Sequence, residues 1–109
     1  MLQDNYELEF LPMFYDDLEG IVDYITLKLK NPDAADNLVE AVFEAIDERL
    51  PIAESFEPYQ SSMEFRYTYY RIYVKNYIVF YVIRDDDPNE KVMEVRRILY
   101  NKQNYTKKI

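Results

Sequence analysis

The sequence has no cysteine, no histidine, no tryptophan and a single glycine, Gly20. Without cysteine there is neither a disulfide framework nor a thiol nucleophile. Without histidine as well, there is no zinc site of the usual ligand types. Ser-His-Asp and Cys-His arrangements cannot be assembled. One glycine cannot supply a GxGxxG or GxxxxGK[ST] phosphate loop, so no nucleotide is expected, nor any metal or other cofactor. No apolar run approaches the ~20 residues of a membrane span, so no membrane partner is expected. The first five residues, Met1 to Asn5, lack the basic and apolar regions of a secretory leader, and the expected location is cytoplasmic. Any catalysis has to come from Arg, Lys, Tyr, Asp or Glu.

Tyrosine and acid are what the chain does have. Its 109 residues include 12 Tyr and 6 Phe, and 21 acidic against 13 basic side chains give a net charge of −8. That length and composition predict one globular domain over residues 1–109. The charge is unevenly spread. Residues 1–50 hold 13 acids and 3 bases, whereas residues 51–109 hold 8 acids and 10 bases. Arg96, Arg97, Lys102, Lys107 and Lys108 follow one another without an intervening acid. Two surfaces of opposite sign suit different partners.

Hydrophobic periodicity gives the elements. Tyr6, Leu8 and Phe10 alternate with Glu7 and Glu9, a short strand ending before Pro12. From Phe14 to Lys30, Phe14, Leu18, Ile21, Val22, Ile25 and Leu29 form one helical stripe, with Asp16, Asp17, Glu19 and Asp23 on the other side. Gly20 costs this helix roughly 1 kcal/mol relative to Ala, which suggests a close packing contact there. Asn31 suits the N-cap and Pro32 the first turn of a second helix reaching about Leu50. Residues 51–66 show no period and read as a loop. Strands are then expected over 67–74, 77–84 and 91–100, joined by Lys75-Asn76 and by a polar turn over residues 85–90. In the last strand Val92, Glu94, Arg96 and Ile98 fall on one side, and Met93, Val95, Arg97 and Leu99 on the other. The order β-α-α-β-β-β predicts an α+β fold, an antiparallel sheet with a helical hairpin on one face.

The basic residues of the last third lie among tyrosines. Cations pair with phosphates and rings stack on bases, the chemistry of a single-stranded nucleic acid site. Tyr and Arg are equally suited to strands and to protein interfaces. The acidic pairs Asp16-Asp17 and Asp85 to Asp87 read as dipole and turn chemistry rather than as metal or acid/base sites.

Several phrases resemble the RelE/ParE family of toxins from bacterial type II toxin–antitoxin (plasmid stabilisation) modules. They are residues 17–25, residues 29–35, residues 71–81 (Arg71 to Tyr81) and residues 95–100 (Val95 to Tyr100), in order across roughly residues 6–105. The resemblance implies a toxin domain neutralised by a cognate antitoxin. Its target would be DNA gyrase, inhibited by binding, as in ParE-like members. In RelE-like members it would be ribosome-bound messenger RNA, cleaved by an endoribonuclease. A decayed, non-toxic member is the third alternative. For cleavage, the resemblance assigns Arg71, Arg97, Lys102 and Tyr105 as catalytic candidates, with Lys75, Tyr73, Tyr100 and Gln103 as target- or RNA-binding candidates. Many relatives show Tyr-Gly-x-Arg-Asp after the last strand, where this chain reads Tyr100-Asn101-Lys102-Gln103-Asn104. Glutamine cannot replace a fixed cation at a scissile phosphate, and lysine does so less well than a planar guanidinium.

Overall fold

A computed structural model describes residues 6–59, 66–87, 89–102 and 109. Strand β1 (Tyr6–Phe10) leads into helix α1 (Pro12–Asp23), continued by a wider π-turn over Tyr24–Lys28. Helix α2 (Pro32–Arg49) follows and tightens into a short 3-10 turn, Leu50–Ile52. Strands β2 (Tyr69–Val74), β3 (Tyr77–Asp87) and β4 (Glu90–Tyr100) complete the order. The strands form one sheet in the order β1-β4-β3-β2. The α+β arrangement expected from the periodicity is therefore present, with both helices on one face of the sheet.

The sheet is mixed rather than wholly antiparallel. β2, β3 and β4 pair antiparallel, but β1 lies parallel to β4, from Tyr6 opposite Lys91 to Phe10 opposite Val95. The two helices lie between β1 and the rest of the sheet in the chain. Such a long connection returns the chain to the sheet without a hairpin and permits a parallel pair. Leu11 extends the ladder by one bond, donating its N–H to the Val95 carbonyl at 2.9 Å. Pro12 has no N–H to continue it, and its fixed φ opens the helix instead. Beyond Val95, no strand among the described residues pairs with β4 on that side.

The helix junction follows the expected chemistry. The Asn31 side chain accepts the Ala34 N–H at 3.1 Å, and Pro32 takes the first helical position. The first helix ends differently from the expected stripe. Its π-turn closes with the Leu29 N–H on the Tyr24 carbonyl, and Lys30 takes a left-handed φ of 54°. The extra residue per turn rotates Leu29 outward, leaving it 56% exposed. Gly20 does not mark a close contact either, since a methyl group added there would meet nothing within 4 Å.

Between helices and sheet lies the main core. Phe14, Leu18, Leu38, Val42 and Ile46 meet Tyr70, Ile72, Val79, Tyr81, Met93, Val95 and Ile98. Burying each large side chain of this kind contributes roughly 1.5–3 kcal/mol. A smaller cluster on the outer face joins Tyr69, Ile78, Phe80, Val82 and Leu99, with Tyr59, Tyr67 and Ile109 against it. β3 is thus buried on both faces, as its unbroken apolar run requires. It also runs to Asp87, through residues expected as a turn, because Asp87 pairs with Glu90.

One irregularity overturns the expected alternation of β4. Phe80 faces Arg97 while Tyr81 faces Val95, so Arg96 is an extra residue in a bulge. After it the sides exchange. Ile98 joins Met93 and Val95 in the main core, and Leu99 joins the outer cluster.

Candidate functional site

The edge of β4 left bare beyond β1 is closed by α1. Asp17 reaches it and accepts from Arg97 Nε at 2.7 Å, from an Arg97 terminal nitrogen at 2.8 Å and from the Ile98 backbone N–H at 3.1 Å. Both side chains are nearly covered, at 13% and 14% exposure. A carboxylate that accepts a guanidinium fork and a strand-edge amide together is a strong, directional anchor. The Asp17 hydrogen bond holds the Arg97 guanidinium above the ordinary arginine pKa, against some loss of hydration. Asp17 therefore does not face away from the core. Its position, three residues after Phe14 and four before Ile21, was the pattern that could have placed it on the inner stripe.

Another acid sits inside the outer face. Glu94 is 6% exposed and lies between two arginines. Arg96 Nε donates to it at 2.8 Å, and Arg84 Nε stands 2.9 Å away as a charge contact without hydrogen-bond alignment. Arg84 also donates to Glu9 on β1 at 2.6 Å. Arg96 donates to the Tyr69 hydroxyl at 3.0 Å and stacks over the Tyr67 and Tyr69 rings. Burial works against its charge, but the Glu94 and Tyr69 bonds outweigh that and raise its pKa. A lone acid among the apolar and basic positions of a strand signals such a pairing. Glu94 was not among the residues singled out from the sequence.

Arg71 is placed differently. Its guanidinium lies 5.0 Å from the centre of the Tyr59 ring and 5.7 Å from that of Tyr73. Among the described residues no carboxylate pairs with it. Tyr73 is 61% exposed. The strand register sets Arg71, Phe80 and Arg97 in one row, so the two arginine backbones stand about 10 Å apart, two strand spacings. Their side chains diverge, Arg71 to the tyrosines and Arg97 to Asp17.

The remaining candidates are scattered. Lys75 is exposed at the β2–β3 hairpin with a φ of 54°. Lys102 is exposed just beyond β4, near that hairpin, where Asn101 N–H bonds the Asn76 carbonyl at 2.9 Å. Tyr100 stacks edge-on with Tyr77 and lines a groove shared with Arg97. Gln103 and Tyr105 lie outside the described residues. The structure thus joins Arg71 to Tyr73 and Lys102 to the Lys75 hairpin, while the Arg97 side chain turns to Asp17 at a groove that Asn76 of the hairpin also lines. Among the described residues no three acids converge as a metal cluster would. No described helix is long and apolar enough to cross a membrane.

These features can be set beside known proteins. A family model described as the ParE toxin of the type II toxin–antitoxin system parDE matches residues 8–105. No curated protein matches the sequence. Among solved structures, the chain is similar to one from the chromosomal ParDE TA system of P. aeruginosa, with 16% identity and a TM-score of 0.67. The likeness covers 88% of this chain and 96% of that one, and it concerns the fold. The match over residues 8–105 takes in every described strand and helix apart from the first two residues of β1, and the chain belongs to the ParE toxin family of type II toxin–antitoxin systems.

Proposed function

We propose that this toxin arrests bacterial growth by binding DNA gyrase in the cytoplasm and is silenced by a cognate antitoxin. The observation that carries the binding reading over a catalytic one is the Asp17–Arg97 fork. General acid–base and electrostatic catalysis of RNA cleavage need cations and proton carriers converging on one phosphate. Arg97 is instead paired at the β4 edge and nearly covered, with Nε and one terminal nitrogen bonded to Asp17. What remains on the outer face is Arg71 between Tyr59 and Tyr73, an arrangement suited to a contact surface. Tyr and Arg are enriched among the few residues that carry most of the energy at protein interfaces. We assign Arg71 and Tyr73 to the target contact.

The test is a supercoiling assay with purified DNA gyrase and this protein, paired with induced expression in a bacterial host. Inhibition of supercoiling and growth arrest are expected, and the antitoxin should relieve both. Ribosomal A-site cuts in primer extension, without gyrase inhibition, would replace this reading with the messenger RNA endonuclease. Unimpaired growth and full gyrase activity at high soluble toxin levels would point to a decayed member.

A further inference from the structure

Residues 53–59 run from the helix side of the sheet, round its β2 edge, to the outer side. At the start Ala53 is fully buried, and its carbonyl accepts from the Tyr81 hydroxyl at 2.6 Å. Beside it Glu54 accepts from Lys91 of β4 and Tyr6 of β1. At the far end the Tyr59 N–H donates to the Tyr69 carbonyl at 2.7 Å. The Tyr59 ring meets Phe80 of the outer cluster edge-on. The segment is therefore a strap, and the ring it delivers has its centre 5.0 Å from the Arg71 guanidinium.

The middle of the strap is held by Arg49, the last residue of α2. Its guanidinium carbon lies 3.5 Å from the centre of the Phe56 ring, over its face. One terminal nitrogen of the same group donates to the Arg71 carbonyl at 3.1 Å and to the Tyr81 hydroxyl at 2.9 Å. Helix, strap, β2 and β3 thus meet on a single side chain.

Two observations separate Arg49 from an ordinary surface arginine. Among the described residues no carboxylate pairs with it. Rings, neutral oxygens and the negative end of the α2 dipole hold the cation instead. Such a setting uses the flat face and the donor fork of a guanidinium together, which an ammonium does not offer. The second observation is that β2 is an edge strand. The carbonyls of Tyr69 and Arg71 point off that edge, and the Tyr59 N–H and Arg49 take one each. The edge is closed by the strap and by the arginine that fastens it.

We infer that Arg49 is a positioning residue for the target contact: it fastens the strap to the β2 edge so that Tyr59 stands against Arg71. This role rests on the gyrase-binding reading above and adds to it a residue whose bonds go to its own chain. Without Arg49 the strap keeps its two ends and loses its middle. The Tyr59 ring then no longer sets the direction of the Arg71 guanidinium, which has to be ordered when the target binds.

The experiment measures gyrase inhibition by the full chain together with amide exchange by NMR. Arg49→Met keeps a long side chain and removes the donors and the flat cation. Its inhibitory potency should fall about tenfold, and the double variant with Arg71→Ala should fall no further than Arg71→Ala alone. The Tyr59 amide should exchange about tenfold faster, while the amides of β3 keep their protection. Arg49→Lys should recover part of both, since an ammonium still reaches the two oxygens but does not stack flat. Phe56→Leu, at a position 41% exposed, removes the same stack without touching the core. It should loosen the Tyr59 amide in the same direction, whether or not Arg49→Met folds. Full potency in Arg49→Met, losses that add to those of Arg71→Ala, or an unchanged Tyr59 amide in Phe56→Leu would each overturn the positioning role and leave gyrase binding in place. A wild type that leaves gyrase uninhibited would overturn that reading, and the positioning role with it.

Discussion

Asp17 on α1 and Arg97 on β4, 80 positions apart in the chain, form a two-pronged ion pair at 2.7 and 2.8 Å that also closes the Ile98 edge amide. The pair does for the second half of β4 what β1 does for the first. Where no described strand lies alongside, a carboxylate and a guanidinium stand in for one.

Removing either partner leaves a nearly covered charge alone. Asp17→Ala is expected to lower unfolding free energy by about 3 kcal/mol, and Arg97→Ala by a similar amount. Because each change already breaks the same contact, the double variant should lose clearly less than the sum. Urea unfolding of the four proteins measures the cycle. Additive losses would show that the two side chains do not act as a pair.

Arg71 should behave in the opposite way. It holds no carboxylate among the described residues, and its ring contacts are half exposed, so Arg71→Ala should change stability by no more than about 1 kcal/mol. Gyrase inhibition and toxicity should fall at least tenfold, an effect of about 1.4 kcal/mol on target binding. Thermal melts beside supercoiling assays separate the two. A destabilised Arg71→Ala protein with full potency would remove Arg71 from the target surface.

The backbone offers routes to a more stable toxin. Lys30 and Lys75 both hold φ near 54°, a region that glycine enters without steric penalty, while the one glycine occupies a helix interior that does not need it. Lys30→Gly and Gly20→Ala should each stabilise the fold by about 1 kcal/mol and add, since no contact links them. Lys75→Gly should act likewise on the hairpin. Denaturant midpoints that move downward would refute the assignment.

Glu54 links acid stability to the loop after α2. It accepts from Lys91 at 2.8 Å and from the Tyr6 hydroxyl at 2.8 Å, and the Lys91 bond first of all lowers its pKa below 4.5, against some desolvation. A lowered folded pKa means that the contribution is present above the unfolded value and disappears as pH falls through the folded one. The wild type should therefore lose melting temperature more steeply than Glu54→Gln between about pH 5 and pH 3. The difference should be small and shrink with salt, because the carboxylate is 36% exposed. Parallel pH curves for the two proteins would show that the contact carries no stability.

Much of this architecture is readable in the sequence, for identifiable reasons. Asn31-Pro32 states a helix start in three atoms' worth of chemistry, and Tyr77 to Ile83 states a doubly covered strand through its unbroken apolar run. What periodicity could not supply are events that depend on distant residues. The parallel placement of β1 depends on where the helical hairpin returns the chain. The inward turn of Asp17 depends on an edge amide 81 positions later. Counting acids as solvent-facing hid it, and strand alternation alone could not show Glu94 held between Arg84 and Arg96. Candidate cations were found by type, and Arg71 and Arg97 do stand in one row. Which of them stays open to a partner is decided by the carboxylates around them, and no spacing rule reports that.

The bulge at Arg96 has a consequence for how relatives of this chain are compared. Up to Val95, odd-numbered residues of β4 look toward the helices; after the bulge, even-numbered ones do. A homologue one residue shorter at this point would match the chain's phrases on either side and yet be out of phase between them. Aligning it without a gap would equate Ile98 with a residue of the outer face and set the partner of Asp17 one position astray. Parity, more than identity, is the quantity to keep when residue roles are carried across the end of this strand.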